Sequence, residues 1–357
     1  MNFPNNLVLV TGASGWLGHG LLNALVNGIP EVESLSGLNK DLKIRAFIER
    51  GLKVDALKEK FPRVEYFYGD LRDEDDCELF CSGAEGSILF HLAGLIHPKR
   101  IQDLYTVNVE CTKNIHKAAE KCKLKRVVTM SSNSPVGCNS NKTCLFDENA
   151  PYRPYMHYGR AKREMEEYII GVQKAGKLET VIVRGTWFYG PYQPQRQSLF
   201  FKMICDGKAP IVGSGDNLRS MSYIENLCQG LILAALSEKA NGQIYWIADE
   251  RPYTMNEIVD TVENLLEKEF GQTCAHKRMR LPGVASEVAL MVDRLLQTVG
   301  LYHQKIHVLS EMNKNIACSV EKAKKELGYA PKVDLKEGMR RSLKWMQDSG
   351  QFASTFQ

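Results

Sequence analysis

Four consecutive apolar residues, Leu7-Val8-Leu9-Val10, predict a strand buried on both faces, and the apolar positions Leu21, Leu22 and Leu25 predict a helix with one face turned inward. The same alternation recurs down the chain. Strands are predicted over residues 43–48, 64–68, 87–90 and 126–130, with helical stretches between them, one opening at Tyr105 and running to about Lys123. An insertion from Gly28 to Asp41 separates the first helix from the second strand, and a late apolar run, Ile244-Tyr245-Trp246-Ile247, reads as one more strand returning to the sheet. Strand and helix in alternation, with short connections, predict an α/β chain on a doubly wound parallel sheet.

Between the first strand and the first helix stands Thr11-Gly12-Ala13-Ser14-Gly15-Trp16-Leu17-Gly18, with a glycine at every third position from Gly12. Gly12 permits a tight turn, Gly15 lets the backbone approach a pyrophosphate, and Gly18 lets the helix pack close on the strand. Free N–H groups and the positive dipole end of the helix then meet the anion. Trp16 and Leu17 lie on the same cofactor-binding turn, and the sheet becomes a Rossmann fold. The second strand closes at Glu49-Arg50-Gly51, where a carboxylate accepts hydrogen bonds from both adenosine ribose hydroxyls and repels a 2′-phosphate. Glu49 therefore argues for NAD. A guanidinium at Arg50 would hold a 2′-phosphate, which keeps NADP open. Small residues Ala93 and Gly94 after the fourth strand let the cofactor lie against the backbone. The expected organisation is a dinucleotide-binding domain over residues 1–190, with 220–248 returning to it, and a smaller C-terminal substrate domain formed by 191–219 and 249–357.

The fifth strand delivers Ser131-Ser132 to the edge of the sheet that carries the cofactor, and further on comes Tyr158-Gly159-Arg160-Ala161-Lys162. On a helix Tyr158 and Lys162 share a face. That geometry suits proton transfer, with Lys162 stabilising a tyrosinate while reaching the nicotinamide ribose, and Ser132 holding the substrate oxygen and the tyrosine oxygen together. Bringing a tyrosine from about 10 towards 7 needs roughly 4 kcal/mol, which an ammonium and a positive nicotinamide ring would supply at low dielectric. Among fourteen tyrosines one such pair arises by accident, so its weight comes from order and spacing with the glycine turn, Asp70, Ala93-Gly94, Asn108 and Ser132.

Taken together, Thr11 to Gly18, Gly69-Asp70-Leu71, His91-Leu92-Ala93-Gly94, Asn108 to Thr112, Ser131-Ser132, Tyr158 to Lys162, Arg184 to Pro191 and Leu327-Gly328-Tyr329-Ala330-Pro331 resemble the extended short-chain dehydrogenases/reductases. This is the NAD-dependent epimerase/dehydratase family, which also contains the 3β-hydroxysteroid dehydrogenases. The resemblance implies Tyr158 as general acid/base, Lys162 as its electrostatic partner, Ser132 as ligand of the substrate oxygen and Asn108 as a supporting polar residue. It places Asp70 and Leu71 beside the adenine and implies a homodimer formed through the helices bearing Asn108 and Tyr158. The family's dehydratases carry an Asp-Glu pair where this chain has Asn133 and Ser134, which leaves no acid to protonate a leaving hydroxyl. The sugar-nucleotide enzymes tend to place an asparagine at the position of Trp187, whose indole adds an apolar face near the substrate, and Gly185 stands where a proline is common. Arg219 points the other way, because those enzymes use an arginine there for the diphosphate; an exposed arginine at a turn is the plainer expectation.

Composition narrows the classes further. A hydrophobic content of 44% with 25% charged residues is that of an ordinary soluble protein, and a net charge of +4 scattered along the chain gives no reason to expect nucleic acid. Ten cysteines without regular spacing suit a reducing compartment, and no metal site is expected. The chain passes from Met1 straight into the first strand with no room for a signal sequence, so a cytoplasmic location is expected. After Leu281-Pro282-Gly283, apolar residues at 284, 288, 290–292, 295, 296 and 299 predict a helix. It is interrupted by charges and too short in its apolar run for a membrane span, and reads as a lid or core helix over the substrate. The expected activity is an NAD(P)-dependent interconversion of a secondary alcohol and a ketone on an apolar small molecule, as in the 3β-hydroxysteroid dehydrogenase branch. The alternatives are a nucleotide-sugar epimerase and a cofactor-binding sensor without turnover.

Overall fold

A computed structural model describes residues 3–37 and 41–356; part of the expected insertion, residues 38–40, lies outside them, as do residues 1, 2 and 357. The central sheet contains β1 (Leu7–Thr11), β2 (Lys43–Glu49), β3 (Glu65–Gly69), β4 (Ile88–His91), β5 (Arg126–Ser132), β6 (Glu179–Gly185) and a seventh strand, Ile244–Trp246. Its order is seventh strand, β6, β5, β4, β1, β2, β3, with every pair parallel. β1 shows why the sequence reads as it does. Val8 and Val10 enter one core with Leu21, Leu22 and Leu25 of α1 (Trp16–Asn27) and with the helix Ile224–Leu236. Leu9 enters a second core on the opposite face with Phe80, Ile115 and Val127. A strand covered on both faces reads as a continuous apolar run along its middle.

The late strand pairs with β6, Ile244 opposite Ile182. Arg126 at the start of β5 is buried. Its guanidinium meets Glu179 and the carbonyls of Ala234, Ala235 and Ser237, satisfying the end of the helix Ile224–Leu236 with a cation. A further hydrophobic cluster gathers the helices Gln195–Cys205, Met255–Lys268 and Leu335–Asp348, while Cys318, Val320, Ala323, Leu327 and Tyr329 pack into the core beneath the sheet.

Two elements depart from expectation. The single helix from Tyr105 is three pieces: Ile101–Tyr105, a π-helical turn Thr106–Glu110, and Cys111–Lys121. The helix after Pro282, Val284–Thr298, buries Ser286, Ala289, Asp293 and Gln297, and exposes Val284, Val288, Met291, Val292, Leu295 and Val299 at its outer face and end. A core helix would bury the apolar side. Here the inward side meets polar partners, so the amphipathicity is turned outward. Among the described residues no helix is long and apolar enough to cross a membrane.

Candidate active site

The glycine turn is built by its own packing. Gly12 has φ +70°, and a Cβ there would lie 2.6 Å from the Ala93 nitrogen. At Gly18 a Cβ would lie 2.1 Å from the Gly12 carbonyl oxygen, so only glycine lets α1 start this close to β1. Gly15 differs. It precedes α1 in extended backbone, is exposed, and its Cβ would meet only the Gly12 oxygen, at 3.3 Å. Leu17 is buried in the core, and Trp16 donates its indole N–H to the Pro191 carbonyl at 2.7 Å, tying the turn to the segment that follows β6.

At the end of β2, Glu49 is exposed, and its carboxylate has no hydrogen bond among the described residues. Arg50 is already engaged: its guanidinium meets Asp76 at 2.6 Å, and the other oxygen of Asp76 accepts the Asp70 backbone N–H at 2.7 Å. The Asp70 carboxylate is chelated by Arg72, which holds its proton affinity below the usual carboxylate range. Leu71, half-buried, lends its carbonyl to Asn114.

Ala93 and Gly94 leave β4 beneath the site. A Cβ on Gly94 would stand 3.1 Å from Asn108 Oδ1 and 3.5 Å from Lys162 Nζ, so the three positions converge. Asn108 is fully buried on the π-helical turn, where it accepts the Leu95 N–H at 3.1 Å and donates to the Leu95 carbonyl at 2.9 Å. Both ends of its amide clamp one residue of the loop, Leu95. A π-helical turn is a frequent mark of a functional site, and it carries no signal in the hydrophobic pattern.

Ser132 ends β5 opposite Gly185, and Tyr158 and Lys162 lie on the helix Met156–Ala175. The Ser132 hydroxyl accepts the Ser134 N–H at 3.1 Å and is close enough to Tyr158 to act on its proton affinity. Burial pushes the Tyr158 phenol up to about 12, with the Ser132 hydroxyl pulling the other way, while burial pushes the Lys162 ammonium down to about 8. Lys162 donates to the Met130 carbonyl at 3.1 Å. The expected lowering of the tyrosine by Lys162 is therefore not a property of the chain by itself. Desolvation outweighs it, and Tyr158 stands as a protonated acid.

The two residues expected near the substrate lie on the short strands Trp187–Tyr189 and Leu218–Arg219. Trp187 packs its ring against Phe200, with centroids 5.6 Å apart, at the edge of the third cluster. Arg219 is buried, not exposed at a turn: its Nη2 donates to the Glu311 carbonyl at 2.7 Å and its Nε has no partner among the described residues. The structure adds a polar group that sequence reading missed, Asp293, Tyr302, His307 and Glu311. His307 Nδ1 meets Asp293 at 2.7 Å, and the His307 ring lies between Tyr155 and Tyr302, with centroids at 5.9 and 5.5 Å.

Residues 8–248 match the model of the NAD-dependent epimerase/dehydratase family. An uncharacterised protein of Sinorhizobium fredii is 49% identical over 352 residues, covering 98% of this chain and 97% of that protein. A 3β-hydroxysteroid-dehydrogenase/decarboxylase of Arabidopsis thaliana is 28% identical, covering 94% of this chain and 78% of its own length. Among solved structures, a UDP-glucuronic acid 4-epimerase of Bacillus cereus in complex with NAD and a sugar nucleotide superposes with a TM-score of 0.73 at 20% identity, over 96% of this chain and 99% of that one, which establishes the common fold. With the glycine turn, the sheet order and the Ser132–Tyr158–Lys162 cluster in place, the chain belongs to the NAD-dependent epimerase/dehydratase family of enzymes.

Proposed function

We propose that this enzyme interconverts a secondary alcohol and a ketone on a largely apolar substrate, with NAD as hydride acceptor and donor. The observation that carries the reading is the gathering of Ser132 at the end of β5 with Tyr158 one helical turn from a buried Lys162, which donates to Met130 of the same strand at 3.1 Å. Bound NAD would lie across the glycine turn, with Glu49 on the adenosine ribose, and would supply the hydride chemistry. The chain supplies the proton. Tyr158 gives its proton to the ketone oxygen on reduction and takes it back on oxidation, while Ser132 steadies that oxygen. Lys162 and Asn108, both beside Gly94, hold the ribose side of the cleft in register.

Asn133 and Ser134 supply no acid for dehydration. The apolar surroundings of Tyr158, with Leu95, Tyr105 and Tyr302 in one cluster, and the similarity to the plant 3β-hydroxysteroid-dehydrogenase/decarboxylase support an apolar alcohol. The unpaired Nε of Arg219 keeps a nucleotide-sugar epimerase as the second reading. Titration with NAD, NADH, NADP and NADPH, and identification of any nucleotide released on denaturation, separates them. Exchangeable NAD, preferred over NADP because Asp76 already occupies Arg50, is the expected result; tightly retained NAD would favour the epimerase.

A further inference from the structure

The helices Val284–Thr298 and Gln304–Glu311 form a hairpin seated on the N-terminal end of the Tyr158 helix. Three polar contacts hold it: the His157 N–H donates to Gln297 at 3.2 Å, Tyr155 and Ser310 share a hydrogen bond at 2.7 Å, and the Tyr302 hydroxyl meets His97 Nδ1 at 2.6 Å. On the second helix His307 and Glu311 are four apart and share a face. Asp293 fixes His307 through Nδ1, which leaves Nε2 without a partner among the described residues. The Glu311 carboxylate likewise has no hydrogen bond or ion pair among the described residues, although its charge acts on Tyr155, Tyr158, Tyr302, His307 and Arg219. Arg219, only 9% exposed, is tied to the Glu311 carbonyl and keeps a buried, unsatisfied Nε–H. A buried donor without an acceptor is costly unless a ligand completes it, and the half-buried Glu311 carboxylate, whose charge acts on Arg219, is open to a donor from the same ligand.

We propose that Glu311, with Arg219 Nε and His307 Nε2 around it, is a specificity-determining subsite that holds a second hydroxyl of an uncharged substrate and rejects substrates carrying a carboxylate or diphosphate near the reacting carbon. A hydroxyl donates to Glu311 and accepts from Arg219 in one step. An anion accepts from Arg219 but is repelled by Glu311. The inference rests on the alcohol–ketone reading above and sharpens it, since it removes the role of Arg219 as a diphosphate ligand.

The test compares the parent with Glu311→Gln, using a neutral hydroxysteroid and a hydroxysteroid carrying a carboxylate next to the reacting carbon. Activity with NAD is one readout. Binding in the presence of NADH, followed by quenching of protein fluorescence, is the other. The parent should favour the neutral compound, and Glu311→Gln should raise the anionic-to-neutral ratio of kcat/KM, and of affinity, by about tenfold or more. The change should lie in KM rather than kcat, with the unfolding temperature retained. Equal treatment of both compounds by the parent, or an unchanged ratio in the variant, overturns the proposal. If neither compound turns over, the alcohol–ketone reading fails, and the binding ratio still decides the role of Glu311.

Discussion

Alanine substitutions at Gly15 and Gly18 separate packing from ligand binding within one turn. At Gly18 a Cβ would sit 2.1 Å from the Gly12 oxygen and 2.6 Å from the Ala13 Cα, both backbone atoms that cannot swing aside. That is more than about 1 Å short of ordinary contact, so α1 must back away from β1. Overpacking of this kind costs about 1–3 kcal/mol. At Gly15 the backbone is at φ −81° and ψ 172°, which any residue adopts, and the nearest atom to a Cβ is 3.3 Å away. Alanine is a poorer first cap than glycine by less than about 1 kcal/mol, and its stiffer unfolded chain returns about 0.4–1 kcal/mol, so the net change is near zero. Gly15→Ala should therefore unfold with the parent in calorimetry while losing about tenfold or more in NADH affinity, because a methyl group stands where the pyrophosphate approaches. Gly18→Ala should lose both stability and binding. If Gly15→Ala binds NADH like the parent, no pyrophosphate lies against that residue and the cofactor placement is wrong.

Asn108→Ala should destabilise by about 1–3 kcal/mol, since it strands the part-buried N–H and C=O of Leu95, and the midpoint of urea unfolding reads the loss. Acid should weaken the fold through its histidines. Burial pushes His116 down to about 4 and His91 well below 6.5, so between pH 4 and 6.5 the unfolded chain binds more protons than the folded one. Stability therefore rises with pH across that window and is lost as pH falls through it, with His116 contributing on the order of 3 kcal/mol. His116→Gln should flatten the pH dependence of urea unfolding, and an unchanged slope would contradict the assignment.

Much of the fold was legible because a parallel strand covered on both faces is apolar along its middle, and residues 7–10, 46–48 and 127–128 and the late run at Ile244 all read that way. The placement of the candidate residues was legible where it is local: the glycine turn, and Tyr158 and Lys162 one helical turn apart. The rest depends on distant contacts. Periodicity in residues 284–299 showed that the helix has an apolar face but not which way it points, and the polar partners that turn it outward, His157 and His307, come from other elements. Arg219 reads as a surface residue until the chain from Glu311 to Ile316 is laid over it. His307 and Glu311 carry no motif, and only the docking of their hairpin beside Tyr155 brings them to the site. Spacing shows the ammonium near Tyr158 and hides the desolvation that opposes it in the chain by itself.

The most direct measurement mixes the parent enzyme with NAD and a panel of neutral secondary alcohols of the hydroxysteroid type, and follows free NADH together with the ketone. NADH and ketone should appear in equal amounts, and a Tyr158→Phe variant should still bind NADH but turn over at least about a hundredfold more slowly. A Tyr158→Phe enzyme as active as the parent, or a nucleotide sugar epimerised with no NADH released while every alcohol stays untouched, would contradict the alcohol–ketone reading.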